Sequence, residues 1–243
     1  IIKIYSLNFQ EYLTFNGRDD LAQELELMRN RLDYISLSGA EIKELFDQYL
    51  VYGGYPAVAL EKDIDNKKEL LYELRDSYLR RDMLEAGIRK KQPFYNLLSI
   101  LSDQIGNLMN KNELSNTLQL HNETLSDYLH ILEKSFHIGF AKPFYKNIRK
   151  ELIKMPKIYF IDQGFRNAVL NRFHPINTRS DKGALLENYL FLKLKLKYPH
   201  DNIRFWRTAD GHELDFVISN DFTSGHSYEV KYSRDTFKKA KYK

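Results

Sequence analysis

The stretch HELDFVISNDFTSGHSYEVKYS, residues 212–233, sets Asp215 at the head of one apolar run and Glu229 and Lys231 in the next. Side chains alternate along a strand, so Glu229 and Lys231 share a face, and Asp215 shares one with Val217 while Phe216 and Ile218 point the other way. If the two runs are neighbouring strands, Phe216, Ile218, Tyr228 and Val230 form the core side, with Asp215, Glu229 and Lys231 grouped opposite. Carboxylates held a few ångströms apart repel, and a divalent cation with hard oxygen ligands relieves the repulsion, which makes Mg²⁺ the natural candidate. A lysine beside such an ion orients water or stabilises charge developing on a phosphate. The same spacing also describes a solvated sheet face on which Lys231 neutralises Glu229 in a weak surface ion pair. Glu187 weighs toward the first reading: it is acidic on the otherwise apolar helix face of GALLENYL, where a carboxylate needs a metal or a lysine as partner.

These residues must be positioned by the elements around them. KGALLENYLFLKLKLKYP reads as a helix with Leu185, Leu186, Tyr189, Leu190, Leu192 and Leu196 buried and lysines outside, stopped by Pro199. NIRFWRTADGHELDFVIS then reads as strand, turn at Asp210-Gly211 and strand, with SYEVKYS as a third. Upstream, PFYNLLSILSDQIGNLM, KNELSNTLQL and HNETLSDYLHILEKSFHI read as three helices, followed by the hairpin strands FAKPFY and IKMPKIYFID around a basic tip. Helix, helix, turn, helix and hairpin is the order of a winged helix-turn-helix. Its would-be recognition helix carries Glu123, Asp127 and Glu133 against Lys134, which opposes a phosphate backbone. The tip, with Lys142, Lys146, Arg149, Lys150, Lys154 and Lys157, is the nucleic-acid-binding candidate; a packing or protein-contact module is the alternative. At the N-terminal end, IIKIYSL alternates like a strand before a helix in FQEYLTF, and Ser38 is placed to cap a helix through Leu50 that Gly53-Gly54 ends. Lys67 to Glu85 has helical spacing of Leu70, Leu71, Leu74, Tyr78 and Leu79 under a charged face, as in a solvated connecting helix. Arg80 and Arg81 either reach a nucleotide on a neighbouring subunit or pair with Asp82 or Glu85.

Bulk composition narrows the classes. With 243 residues, 43% of them hydrophobic, the chain buries a substantial core, and its net charge of +4 does not by itself announce a nucleic-acid binder. The chain contains no cysteine, which removes disulfide frameworks and thiolate metal sites and fits a cytoplasmic location. Neither a membrane helix nor a signal peptide is expected. No H-E-x-x-H, G-x-S-x-G or dinucleotide fingerprint competes with the acidic constellation.

Glu187 in GALLENYL, Asp215 in RTADGHELDFVI and Glu229 with Lys231 in YEVK resemble the core of the PD-(D/E)XK nuclease superfamily. YSLNFQEYL, GGYPAV, YLRRDM and KMPKIYFIDQGFRNAVL resemble the prokaryotic AAA-type P-loop ATPases that carry such a nuclease-like domain of unknown function at their C-terminus. The resemblance implies an α+β, multi-module chain: ATPase C-terminal strand, helical lid remnant and connecting helices over 1–92, a winged helix-turn-helix over 93–165, and a small α/β restriction-endonuclease-like core over 166–243. By the same resemblance Asp215 and Glu229 are Mg²⁺ ligands, Lys231 the catalytic lysine and Glu187 the helix-borne acid, in a domain that binds nucleic acid and cleaves phosphodiester bonds. The alternative is a non-catalytic docking module that couples the ATPase to a protein partner, and a homo-oligomer is compatible with either. Not one of the 11 glycines is followed by lysine, so the G-x-x-x-x-G-K-[ST] loop is absent and ATP would bind only through a P-loop domain outside this sequence. The chain is expected to be a fragment of a longer polypeptide, with the nuclease-like core cut short.

Overall fold

A computed structural model of the chain describes residues 5–31, 33–144, 155–198, 202–208, 211–219 and 225–232. It is a mixed α+β structure of two compact units, each discontinuous in sequence. One comprises Ile1–Asp103, Asn112–Ile138 and Phe160–Arg179; the other comprises Gln104–Lys111, Gly139–Tyr159 and Ser180–Lys243. The units therefore interleave along the chain.

The first unit is helical: α1 Phe9–Phe15, α2 Asp19–Asn30, α3 Gly39–Tyr52, α4 Pro56–Leu60, α5 Ile64–Glu85, α6 Lys91–Asp103, α7 Lys111–Leu118, α8 Asn122–Lys134 and α9 Gln163–Leu170. Residues 5–8 are not a strand; Asn8 instead opens α1 through a reciprocal capping box with Glu11. Ser38 precedes α3 but makes no side-chain cap bond, and Gly53 ends that helix at φ 75°, a conformation that favours glycine. Helix α9 is the hub, buried on every side from Gln163 to Ala168. Asp162 caps it by accepting from Phe165 N and also accepts from Gly54 N, both at 2.9 Å. Asn167 Nδ2 donates to the Val51 carbonyl near the end of α3, and Arg166 Nε donates to Ser102 O. Helices α7 and α8 are joined by a short turn in which Gln119 takes a positive φ and the Ser115 hydroxyl donates to Leu120 O.

The second unit holds a five-stranded sheet in the order β2-β1-β3-β4-β5, with β1 Ile138–Pro143, β2 Lys157–Phe160, β3 Ile203–Arg207, β4 Glu213–Ile218 and β5 His226–Tyr228. The strands expected as a wing thus lie in the same sheet as the C-terminal strands: β1 runs parallel to β3, which pairs antiparallel with β4, and β4 with β5. The free edge of β2 is met by residues 106–109, through Gly106 N to Ile158 O, Met109 N to Pro156 O and a bridge between Leu108 and Lys157. Helix α10, Lys182–Lys197, supplies the core with Leu185, Asn188, Phe191, Leu194 and Lys195. This stripe follows the i, i+3, i+6 rhythm of a narrow contact face. Leu186, Tyr189, Leu190 and Leu192, expected in the core, are only partly covered, Leu196 is exposed, and Lys195, expected outside, is buried. Tyr159 of β2 stacks on Phe191, their centroids 4.4 Å apart, and Phe216 of β4 lies against both rings.

Candidate functional site: a lysine among carboxylates

The centre of the second unit is Lys157, the first residue of β2. Expected on an exposed basic tip, it is instead 3% exposed. Its Nζ lies 2.9 Å from Glu187 Oε1 on α10, 2.5 Å from Glu213 Oε1 and 4.0 Å from Asp215 Oδ1 on β4. Tyr159, two residues along β2 and therefore on the same face, donates its hydroxyl to Glu187 Oε1 at 2.7 Å. A buried ammonium is expensive unless paired. The apolar residues after Lys157 force the strand into the core, and the acids meet its cation there.

Asp215 shares this face with Glu213 by alternation, and a bulge brings Phe216 onto it as well. Arg204 pairs with Val217 but Trp206 pairs with Leu214, so β4 carries one more residue than β3 between these rungs, at Asp215 and Phe216. Strict alternation would send these two side chains to opposite faces, and a bulge breaks it. Asp215 approaches Lys157, and Phe216 consequently packs on Tyr159, whose side chain shares the Lys157 face. The expected separation of a core side holding Phe216 from a charged side holding Asp215 is corrected accordingly.

Glu229 and Lys231 lie just past the end of β5 rather than inside it. Asp215 Oδ2 accepts from Val230 N at 2.7 Å, which ties this segment to β4 through a side chain in place of a ladder bond. Lys231 Nζ is 2.7 Å from Glu229 Oε1 in a partly exposed ion pair. The four residues singled out from the sequence are therefore neighbours, linked through Lys157 and the Val230 amide. Sequence reading missed Tyr159 and Glu213 and assigned Lys157 to the basic tip; the available signals were a lysine leading the apolar run IYF and a second acid two residues before Asp215.

The electrostatics follow from burial and pairing. Burial pulls the Lys157 pKa down, yet Glu187 and Glu213 outweigh it and the net direction is up, so the ammonium is charged at neutral pH. Burial raises the Glu187 carboxyl against the pull of Lys157, with Asp215 adding to the rise. Asp215 is also raised by burial, opposed by the Val230 amide and then by Lys157 and Lys231. The Tyr159 hydroxyl is pushed well up by burial and then by Glu187, which keeps it a donor.

The donor set does not fit a resident Mg²⁺ while Lys157 is in place. Among the described residues no group of three or more histidine, cysteine or acidic side chains is arranged to hold a metal ion. Glu187 Oε1 and Glu213 Oε1 accept from Lys157, Asp215 Oδ2 accepts from the Val230 amide, and Glu229 Oε1 faces Lys231. Mg²⁺ demands near-octahedral oxygen ligation, and here an ammonium sits among the oxygens that would supply it.

Of the nucleic-acid candidates, Lys142 is exposed on β1 opposite Arg204 of β3, whereas Lys146, Arg149 and Lys150 lie outside the described residues. On α8, Glu123, Asp127 and Glu133 are exposed, so the surface of this helix is acidic. In the first unit Arg81 pairs with Asp82 at 3.2 Å, and Arg80 lines a groove of about 370 Å³ with Arg75, Asp76 and Lys91. Asp82 is buried and lies 2.6 Å from His137 Nε2, whose ring stacks on Phe165. No helix among the described residues is long and apolar enough to cross a membrane.

The fold and site define a mixed α+β protein with a lysine-centred acidic cluster on a five-stranded sheet. The chain belongs to the family described as domain of unknown function DUF8612, whose model matches residues 43–175, more than half of its length. A second model, domain of unknown function DUF4143, matches residues 182–242, the segment that carries Glu187, Glu213, Asp215, Glu229 and Lys231. An uncharacterized protein of Haemophilus influenzae is 29% identical over 224 residues, covering 89% of this chain and 49% of that protein. An uncharacterized protein of Methanocaldococcus jannaschii is 27% identical over 223 residues, and one of Mycobacterium tuberculosis 24% identical over 216. The chain spans about half the length of these relatives, with 46% of the second and 48% of the third covered. No solved structure matches significantly.

Proposed function

We propose that this chain belongs to a prokaryotic AAA-type ATPase and that its sheet unit is a nuclease-like domain serving as a non-catalytic docking module, coupling the ATPase to a protein partner. The assignment to an ATPase rests on the resemblance of YSLNFQEYL, GGYPAV and YLRRDM and on the DUF4143 match. The non-catalytic reading is carried by one observation: the Lys157 ammonium pairs with Glu187 and Glu213 and stands 4.0 Å from Asp215, one of the two carboxylates expected to hold a metal. The acidic surface of α8, which follows α7 after a short turn, supports a protein partner over a phosphate backbone. The test is cleavage of DNA and RNA with Mg²⁺ by the wild-type chain beside Asp215→Ala and Lys231→Ala. No cleavage, or cleavage unchanged by both substitutions, is expected; cleavage abolished by both sinks the docking reading.

A second reading, nucleic-acid binding with metal-dependent cleavage, is favoured by the proximity of Glu187, Asp215, Glu229 and Lys231. It requires Lys157 to leave the carboxylates. Duplex DNA titrated across a salt series separates the two, because phosphate contacts weaken steeply as salt rises and a protein-docking surface shows no such binding.

A further inference from the structure

The resemblance places a divalent metal between Asp215 and Glu229, and the geometry instead offers a lysine. Lys157 is not an accidental visitor to the cluster. Its backbone is fixed by the bridge to Leu108 and by the bonds that flank it, Met109 N to Pro156 O and Gly106 N to Ile158 O, both 2.8 Å. Its Nζ also lies 5.6 Å from the centroid of the Phe205 ring. Gly106, at φ 75°, brings the edge segment so close that a Cβ there would stand 3.3 Å from the Glu187 carboxylate oxygens. The acid that accepts from Lys157 is thus held from one side by a glycine that leaves it room and from another by the Tyr159 hydroxyl. Arg207, with Nε 3.7 Å from Glu213 Oε2, adds a second positive charge at the rim. Every acid facing the centre has a donor or cation already assigned to it.

We propose that Lys157 is the resident cation of this centre, an ammonium standing in for a divalent metal, and that the surrounding carboxylates bind a divalent ion only when that ammonium is removed. As placed here Glu187, Glu213 and Asp215 form no ready metal site, but removing the lysine leaves their repulsion unrelieved, and closing these hard oxygen ligands around Mn²⁺ or Mg²⁺ relieves it. Lys157 is in this sense a positioning residue: it holds Glu187 and Glu213 in place and excludes competing cations. The inference rests on the non-cleaving reading above, and its failure is distinguishable from failure of that reading. Cleavage dependent on Asp215 overturns the reading, whereas metal affinity indifferent to Lys157 overturns the inference alone.

The probe is MnCl₂, titrated calorimetrically into wild type, Lys157→Ala and Lys157→Gln, with Lys157→Ala/Asp215→Ala as control. Both single variants are expected to bind Mn²⁺ at least tenfold more tightly than wild type. Millimolar Mn²⁺ should raise their melting temperatures and leave that of wild type unchanged, and the control should lose the gain. Affinity in both folded variants equal to that of wild type overturns the proposal, as does wild-type Mn²⁺ binding that Asp215→Ala abolishes. If both variants are unfolded without metal, the same property is read as recovery of a cooperative melt in millimolar Mn²⁺, and no recovery overturns the proposal equally.

Discussion

Replacing Lys157 by methionine keeps most of the buried stem and deletes the charge. In wild type the ammonium is 3% exposed and the Glu187 side chain 16%, so their 2.9 Å pair is shielded from solvent. Breaking a buried pair by removing one partner costs about 3–5 kcal/mol, because the remaining charge is left uncompensated in a medium of low polarity. Here Glu187 and Glu213 both lose their nearest cation and Asp215 a weaker contact at 4.0 Å. Glu213 keeps Arg207 and partial exposure, so most of the loss falls on Glu187. Lys157→Met is therefore expected to lose about 3–5 kcal/mol, and Glu187→Gln in that background to restore about 1–3 kcal/mol as a coupling energy. Coupling to Asp215 should be smaller, in line with its distance. The readout is built into the chain: its single tryptophan, Trp206, lies on β3 in the same unit and pairs with Leu214, so urea denaturation followed by tryptophan fluorescence reports this unit directly. A cost below about 1 kcal/mol, with no coupling to Glu187, refutes the buried-cation reasoning.

Other perturbations fall in the helical unit. Asp162→Ala strips α9 of its cap and leaves the Gly54 amide without its acceptor, which should cost about 2–4 kcal/mol by urea denaturation; Asp162→Asn, with one carbonyl oxygen for two donors, should fall between. Asp82 is held below the usual aspartate range: burial pushes its pKa up, but His137, Arg81 and Ser135 outweigh it. A depressed carboxyl contributes stability that is present above its unfolded value of about 3.9 and lost as pH falls through the folded one. Urea midpoints measured from pH 5 down to pH 2 should accordingly fall more steeply in wild type than in Asp82→Asn, and parallel curves would show that the pair with His137 carries no such linkage.

Much of the fold is legible in local pattern. The helices over 64–85, 122–134 and 182–197 and the hairpin of β3 and β4 follow from periodicity and turn residues, since both are short-range consequences of the chain. The sheet order is not. That β1 pairs with β3 across the 59 residues between them is decided by tertiary burial, and FAKPFY carries nothing to distinguish a free wing from a strand of a larger sheet. The site was half legible for the same reason. Glu187, Asp215, Glu229 and Lys231 announce themselves as charges among apolar residues, whereas Lys157 reads as one more base near a basic tip. The burial of Ile158, Tyr159 and Phe160, with Tyr159 against Phe191 and Phe216, turns its strand inward and puts its ammonium among acids. The bulge at Asp215 and Phe216 was equally hidden, because the alternation of ELDFVI looks unbroken and the extra residue appears only in register with β3.

The most direct test is a crystal structure of the wild-type chain grown in Mn²⁺, with an anomalous difference map calculated at the manganese edge. A resident ammonium predicts no anomalous peak among Glu187, Glu213, Asp215 and Glu229, with Lys157 Nζ in hydrogen-bond contact with Glu187. A manganese peak ligated by Asp215 and Glu229, with Lys157 displaced from the carboxylates, contradicts it.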